Sequence, residues 1–392
     1  MPARLRRCAG LGAHLFAPAF LIAITSSPGR AADDFSQYAV TPNQKSVAAA
    51  LDRGQGGASF DALRLELSAL SPTEIGGGLV QLGSEIALVL PNVTEADRRA
   101  LLASFVDRLG PSCLEKGARY EADPLLLEPS VWGRGFYRTD DISETGGGTI
   151  GFELHPDKHT CAGLGLNYAN TDLALDGLPQ SADVESYSIG AYLRRDSRHL
   201  FVDGALAASY AKFDTTRHIL FAGTTAEGDG TATGAGVIAG IGAVLHAGIV
   251  TFEPRIGLDY DHNDQHGFTE TGAGAANLRI GGEERDALRS NVGTRLHAIF
   301  DMGSDQSLMP EFSVAWAHNL IDPAVTLKEQ FVAAKNASFR IEGEEPPDDF
   351  LLLGVGFSFH PNASDEIFVR YNGAWAEDIQ ADVISGGGKI RW

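Results

Sequence analysis

The sequence predicts a transmembrane β-barrel of about twelve antiparallel strands, with an N-terminal helical segment in or near its lumen. Three observations predict it. From about Val131 onward, segments near the 9–11 residues of a tilted membrane strand alternate apolar and polar positions. The connections between them alternate short and long. Aromatic residues collect at strand ends (Tyr168, Tyr210, Tyr260, Trp316, Phe359, Tyr371, Trp375, Trp392), where interface girdles form.

The N-terminus reads as a targeting segment. Arg4, Arg6 and Arg7 precede the apolar run "LGAHLFAPAFLIAI", and small residues stand before Ala32, so residues 1–31 form a secretory signal peptide. Its four arginines leave 27 basic against 51 acidic residues, a net charge of −24 compared with −20 for the full 392-residue chain. That balance argues against nucleic acid as a partner. No later run is long and apolar enough for a membrane helix. The mean hydropathy of −0.07 does not oppose a barrel, because alternation hides strand apolarity.

Residues 32–93 read as short helices and connectors. Thr41 with Pro42 and Ser71 with Pro72 and Glu74 are helix starts. "TEADRRALLASFVDRLG" predicts the clearest helix, capped by Thr94, closed by Gly110 and Pro111, and striped by Leu101, Leu102, Phe105 and Leu109. Residues 94–129 are this helix and a linker, and 130–392 the barrel.

The strand parity has a constant sense. Phe252, Ile256, Leu258 and Tyr260 oppose Glu253, Arg255, Asp259 and Asp261. Leu288, Val292 and Leu296 oppose Arg289, Asn291 and Arg295. Short connections ("PDKHT", "DSRH", "DMGSDQ", "PNASD") alternate with long acidic ones ("DDISETGGG", "NTDLALDGLPQSADVE", "DTTRHILFAGTTAEGDGTAT" and the stretches after Asp261 and Ile321). The polar parity assigns a lumen lining of Arg134, Arg138, Glu153, Asp203, Arg255, Asp259, Arg289, Arg295, Arg370, Lys389 and Arg391. These can pair with Glu95, Asp97, Arg98, Arg99 and Asp107 of the helix or simply hydrate the interior. Ile384, Ile390 and Trp392 of the last strand face lipid.

"TPNQKSVAAAL", the Thr94–Leu109 helix, "VWGRGFYR", "GGTIGFEL", "GLGLNYANTDL", "SYSIGAYLR" and "VISGGGKIRW" together resemble the translocator domain of autotransporters, the type V secretion family. The resemblance implies a Gram-negative outer-membrane location and a helix threading the pore. It also implies a barrel supporting export of an N-terminal passenger, and a last strand ending in Ile384, Ile390 and Trp392 that periplasmic chaperones and the barrel-assembly machinery read. Here only about 60 residues separate the signal from the helix, without the repeats of a long solenoid passenger. If the helix threads the lumen, Cys113 emerges near the periplasmic rim beside Cys161, and the two can form a disulfide.

Sites of other chemistry are sparse. His155, His159 and Cys161 look like metal ligands but fit an ordinary turn, and the set is incomplete. "DYDHNDQH" (Asp259–His266) could hold a cation but reads as a solvated acidic loop. There is no G-x-S-x-G, H-E-x-x-H or P-loop. The expectation is a monomeric, non-enzymatic translocator with no cofactor or metal, held in outer-membrane lipid. A small-solute porin, a loop-built adhesin and an outer-membrane hydrolase are the alternatives.

Overall fold

The computed structural model describes residues 34–110, 129–157, 159–362, 364–377 and 379–391. Twelve antiparallel strands close into a barrel. They are β1 (Ser130–Thr139), β2 (Ser143–Asp157), β3 (Thr160–Ala174), β4 (Gln180–Ser197), β5 (Leu200–Ile219) and β6 (Thr224–Ala243). The series continues with β7 (Val250–Gln265), β8 (Glu283–Ala298), β9 (Gln306–Ile321), β10 (Asp349–His360), β11 (Glu366–Ala376) and β12 (Ile379–Arg391). Each pairs with its chain neighbour, and β1 pairs with β12 from Ser130↔Arg391 to Thr139↔Asp382. Closure satisfies the backbone without a free edge, the condition for a sheet in lipid.

The outward face is apolar by alternation. Ile150, Leu164, Leu166, Ile189, Leu206, Ile256, Leu258, Ile384 and Ile390 are all exposed on it. At its outer margin the aromatic girdle is anchored to acids. Tyr260 donates to Asp286 at 2.6 Å, Trp316 to Asp349 at 2.9 Å and Tyr371 to Asp382 at 2.6 Å. Trp392, assigned to the lipid face by sequence, lies outside the described residues. Leu164, 60 % exposed, is on this face in β3, four residues before the girdle residue Tyr168. Leu164→Arg is expected to cost about 2–4 kcal/mol in the bilayer. Urea titration of the refolded barrel in lipid vesicles checks it, and an unchanged midpoint would contradict the lipid-facing assignment.

The strands are unequal. β5 and β6 have 20 residues each and β11 has 11. Two stretches read as long loops are instead the upper halves of β3–β6. The β3–β4 and β5–β6 connections shrink to residues 175–179 and 220–223, and "DDISETGGG" contributes only residues 140–142 to a connection. The reason lies in their inward positions. Leu173, Ala182, Val184, Ala211, Phe213 and Ala226 are buried against the N-terminal helices, a partner that local parity does not reveal.

Those helices are α1 (Pro42–Arg53), α2 (Ala58–Ser68) and α3 (Pro72–Gln81). The Thr41/Gln44 and Ser71/Glu74 capping boxes are both formed, with proline in the first turn. The two longest connections, 266–282 and 322–348, supply a four-stranded sheet over residues 268–269, 278–280, 326–331 and 338–342. Helices and sheet share one core of Leu51, Phe60, Leu67 and Leu79 with Phe331 and Ile341. The Phe60 and Phe331 rings meet edge-on at 5.5 Å. Asn43 closes the sheet edge like an added residue, donating to the Glu342 carbonyl and accepting from its amide, both at 3.0 Å. This assembly is a cap at the long-connection end of the barrel.

Candidate functional site in the barrel lumen

From the cap, α4 (Glu85–Arg108) enters the barrel. At 1.5 Å per residue, its 24 residues span roughly 36 Å, enough to cross a bilayer core. The sequence reading starts this helix at Thr94. The helix instead starts at Glu85, just after Ser84, and runs through Pro91, and Thr94 caps nothing. Its hydroxyl donates to the Pro91 carbonyl at 3.1 Å, inside the helix. Proline cannot donate to the preceding turn, so a local reading breaks the helix there. The enclosing wall holds it continuous.

Beyond the short stripe of Leu101, Leu102 and Phe105, the lumen wall answers the charges of α4 one by one. Near the cap, Glu95 pairs with Arg99 at 2.8 Å and with Arg285. Arg98 donates to Asp261 at 3.0 Å and to Ser209 at 3.0 Å, and Arg99 reaches the other Asp261 oxygen at 2.7 Å. Asp97 accepts from Arg138 at 2.9 Å, Thr171 at 3.1 Å and Ser186 at 2.8 Å. Farther down, Arg134 donates to Ser104 at 3.1 Å and Asp107 at 3.0 Å. Buried charges persist when paired and hydrogen-bonded.

The short-turn end carries a dense cluster. Arg108 bonds Glu366 at 2.9 Å and Glu153 at 3.4 Å. Lys389 donates to Glu153 at 2.9 Å, as does the Tyr192 hydroxyl at 3.0 Å, and Trp132 donates to Tyr192 at 3.0 Å. Arg194 caps the Leu109 carbonyl at 2.6 Å while holding Glu253 at 2.6 Å. Leu101, Leu102, Phe105 and Leu109 pack with Trp132, Tyr192, Ala205 and Ala207. A Cβ on either Gly165 or Gly190 would lie 2.7 Å from the Phe105 ring, so bare backbone on two adjacent strands makes the slot for that ring.

Of the lumen residues assigned by sequence, Arg134, Arg138 and Arg295 bond α4 directly, Arg295 through the Val106 carbonyl at 3.2 Å. Glu153 also bonds α4, at Arg108, and Lys389 joins that cluster. The others brace the wall. Arg255 grips Asp203 at 2.7 Å, and Asn291 donates to Asp259 at 3.1 Å. Arg289 bonds Asn319 at 2.8 Å and stacks on Phe350, and Arg370 lies over Phe368. Arg391 occupies the inward parity at the short-turn end of β12, paired in register with Ser130. Arg108, Arg194, Asp261, Arg285 and Glu366 were not assigned, although strand parity marks all but the helical Arg108.

Glu153, His155 and Cys161 approach one another. Cys161 is buried and disulfide-bonded, so it offers no thiolate to a metal. Cys113 lies outside the described residues. Asp259–His266 is not a loop: Asp259 to Gln265 are part of β7, with Asp261 and Asn263 turned onto α4.

A closed transmembrane barrel whose polar interior is filled by one helix of its own chain defines the class, a plugged outer-membrane barrel. The chain belongs to the autotransporter family: the autotransporter β-domain model matches residues 131–372, which places it in the Gram-negative outer membrane. The fold is similar to the translocator domain of the autotransporter NalP from Neisseria meningitidis, with a TM-score of 0.56 and 17% identity over 77% of this chain and 100% of that one. It is also similar to the β domain of the Bordetella autotransporter BrkA, at 0.53 and 14% over 68% and 100%. The esterases EstA of Pseudomonas aeruginosa and Pseudomonas putida are 23% identical over 246 residues. The match spans 60% of this chain but only 37% of each esterase.

Proposed function

We propose that this translocator carries its own residues 34–81 to the outer surface and keeps them there as a folded cap. Its work is mechanical, not catalytic: α4 is the trailing end of the exported segment, left in the lumen as a seal. The observation that carries this reading is the shared core of α1–α3 and the long-connection sheet. Short turns mark the periplasmic rim of such barrels and long connections the cell exterior, so a cap built on the long connections is an external structure. The β1–β12 closure leaves no sheet edge for a second copy, consistent with a monomer in outer-membrane lipid. Insertion by periplasmic chaperones and the assembly machinery belongs to the same reading.

An epitope inserted at the exposed α1–α2 turn, beside Gln55, tests display. Detection on intact cells is expected, and detection only after outer-membrane permeabilisation would overturn it. Deleting residues 34–109 should turn a near-silent protein into one with stable openings in planar bilayers, with heat-modifiable gel mobility confirming the folded barrel. Equal conductance with and without the deletion would favour an open small-solute pore.

A further inference from the structure

Glu329 lies in the cap segment Thr326–Phe331, fully buried, with apolar cross-strand neighbours Ile280 and Phe339. One oxygen accepts from the Ser84 amide at the head of α4 at 3.2 Å, and the other has no hydrogen-bond partner among the described residues. The charged groups facing it come from three elements. Arg217 of β5 is within electrostatic reach but committed to Glu270 through two bonds. Glu270, from the 266–282 connection, and Glu85, in the first turn of α4, are both acidic. Lys328, Arg279 and Arg340 alternate onto the opposite, exposed face. The neighbouring amide of Ile86 is already satisfied by Gln180 at 3.0 Å. Among the described residues a carboxylate here has no free cation to answer it, whereas the neutral acid accepts from Ser84 with its carbonyl oxygen and buries one uncharged O–H, a smaller cost than a bare charge.

The geometry points to Glu329 as a proton-operated latch: neutral, it lets the cap sheet lie on the head of α4; ionised, it drives the two apart and releases residues 34–81. This rests on the cap reading above. The direction of control follows from linkage. Burial, reinforced by Glu270 and Glu85 and only partly offset by Arg217, pushes the Glu329 carboxyl up to about 8 from an ordinary 4.5. The folded cap therefore holds a proton that the open form releases. Its stability is fully present below the ordinary carboxylate range and is lost as pH rises through that raised value.

Hydrogen exchange of residues 42–81 in the intact protein in vesicles, corrected for the intrinsic pH dependence of exchange, reads the latch. From about pH 6 to about pH 9.5 the cap should open at least about tenfold more often. Glu329→Gln, neutral and nearly isosteric, should abolish that rise. Glu85→Gln should move the transition to lower pH by removing a like charge. A flat wild-type profile, or the same rise in Glu329→Gln, overturns the latch. The epitope experiment fails separately: display with a flat profile refutes the latch alone, and absence of display refutes the cap's outward placement whatever the profile.

Discussion

Arg108→Ala is expected to unseat the lower half of the plug at a cost of about 3–5 kcal/mol, the range for breaking a buried ion pair by removing one partner. Two cations, Arg108 and Lys389, face two carboxylates, Glu153 and Glu366, all buried where α4 meets the periplasmic end of β2, β11 and β12. Without Arg108, Glu366 loses its 2.9 Å partner and the buried cluster holds one cation fewer. Single-channel recording should show long openings where the parent is quiet. Trp132 fluorescence should report earlier melting, because that ring packs edge-on to Phe105 at 6.3 Å. Combining Arg108→Met with Glu366→Gln leaves Lys389 and Glu153 matched and should restore much of the seal. Arg108→Lys should rescue only part, because an ammonium cannot fork between two carboxylates as a guanidinium does. Parental conductance and melting in Arg108→Ala, or a double variant as leaky as the single, would show that the cluster does not hold the helix.

The barrel was legible because each strand carries its own evidence. Phe252, Ile256 and Leu258 against Glu253, Arg255 and Asp259 declare two faces within ten residues. The same parity places Arg134 and Arg138 in the lumen before any partner is known. What stayed hidden needs a partner remote in sequence. Pro91 and Thr94 carry strong local signals for a break and a cap, and the lumen overrides both. Leu173, Val184 and Ala226 look like loop residues until α1–α3 are placed above the lumen. Glu329 and Arg217 sit in stretches that read as acidic, solvated connections. Their burial arises only when 266–282 and 322–348 meet as a sheet, and nothing in either segment announces the other.

Arg217→Ala should open the cap while leaving the pore closed, which separates the two seals. The Arg217 guanidinium bonds Glu270 twice, the Gln81 carbonyl at 2.5 Å and the Ala276 carbonyl at 2.9 Å. One side chain on β5 thereby ties the end of α3 to the 266–282 connection. Its loss strands Glu270 in a buried setting, with Glu329 nearby as a second acid, at an expected cost of about 3–5 kcal/mol. Hydrogen exchange should accelerate across residues 42–81 and stay slow along Thr94–Arg108, whose partners Asp261, Arg138 and Glu366 are untouched. Bilayer conductance should therefore remain at the parental level, the reverse of the Arg108 variant. Adding Glu270→Gln removes the stranded charge and should return part of the protection. If Arg217→Ala instead opens the pore, cap and helix form one cooperative unit and the lumen pairs cannot hold α4 alone. If the cap stays protected, its apolar core of Phe60, Leu67 and Phe331 suffices without the ion pair.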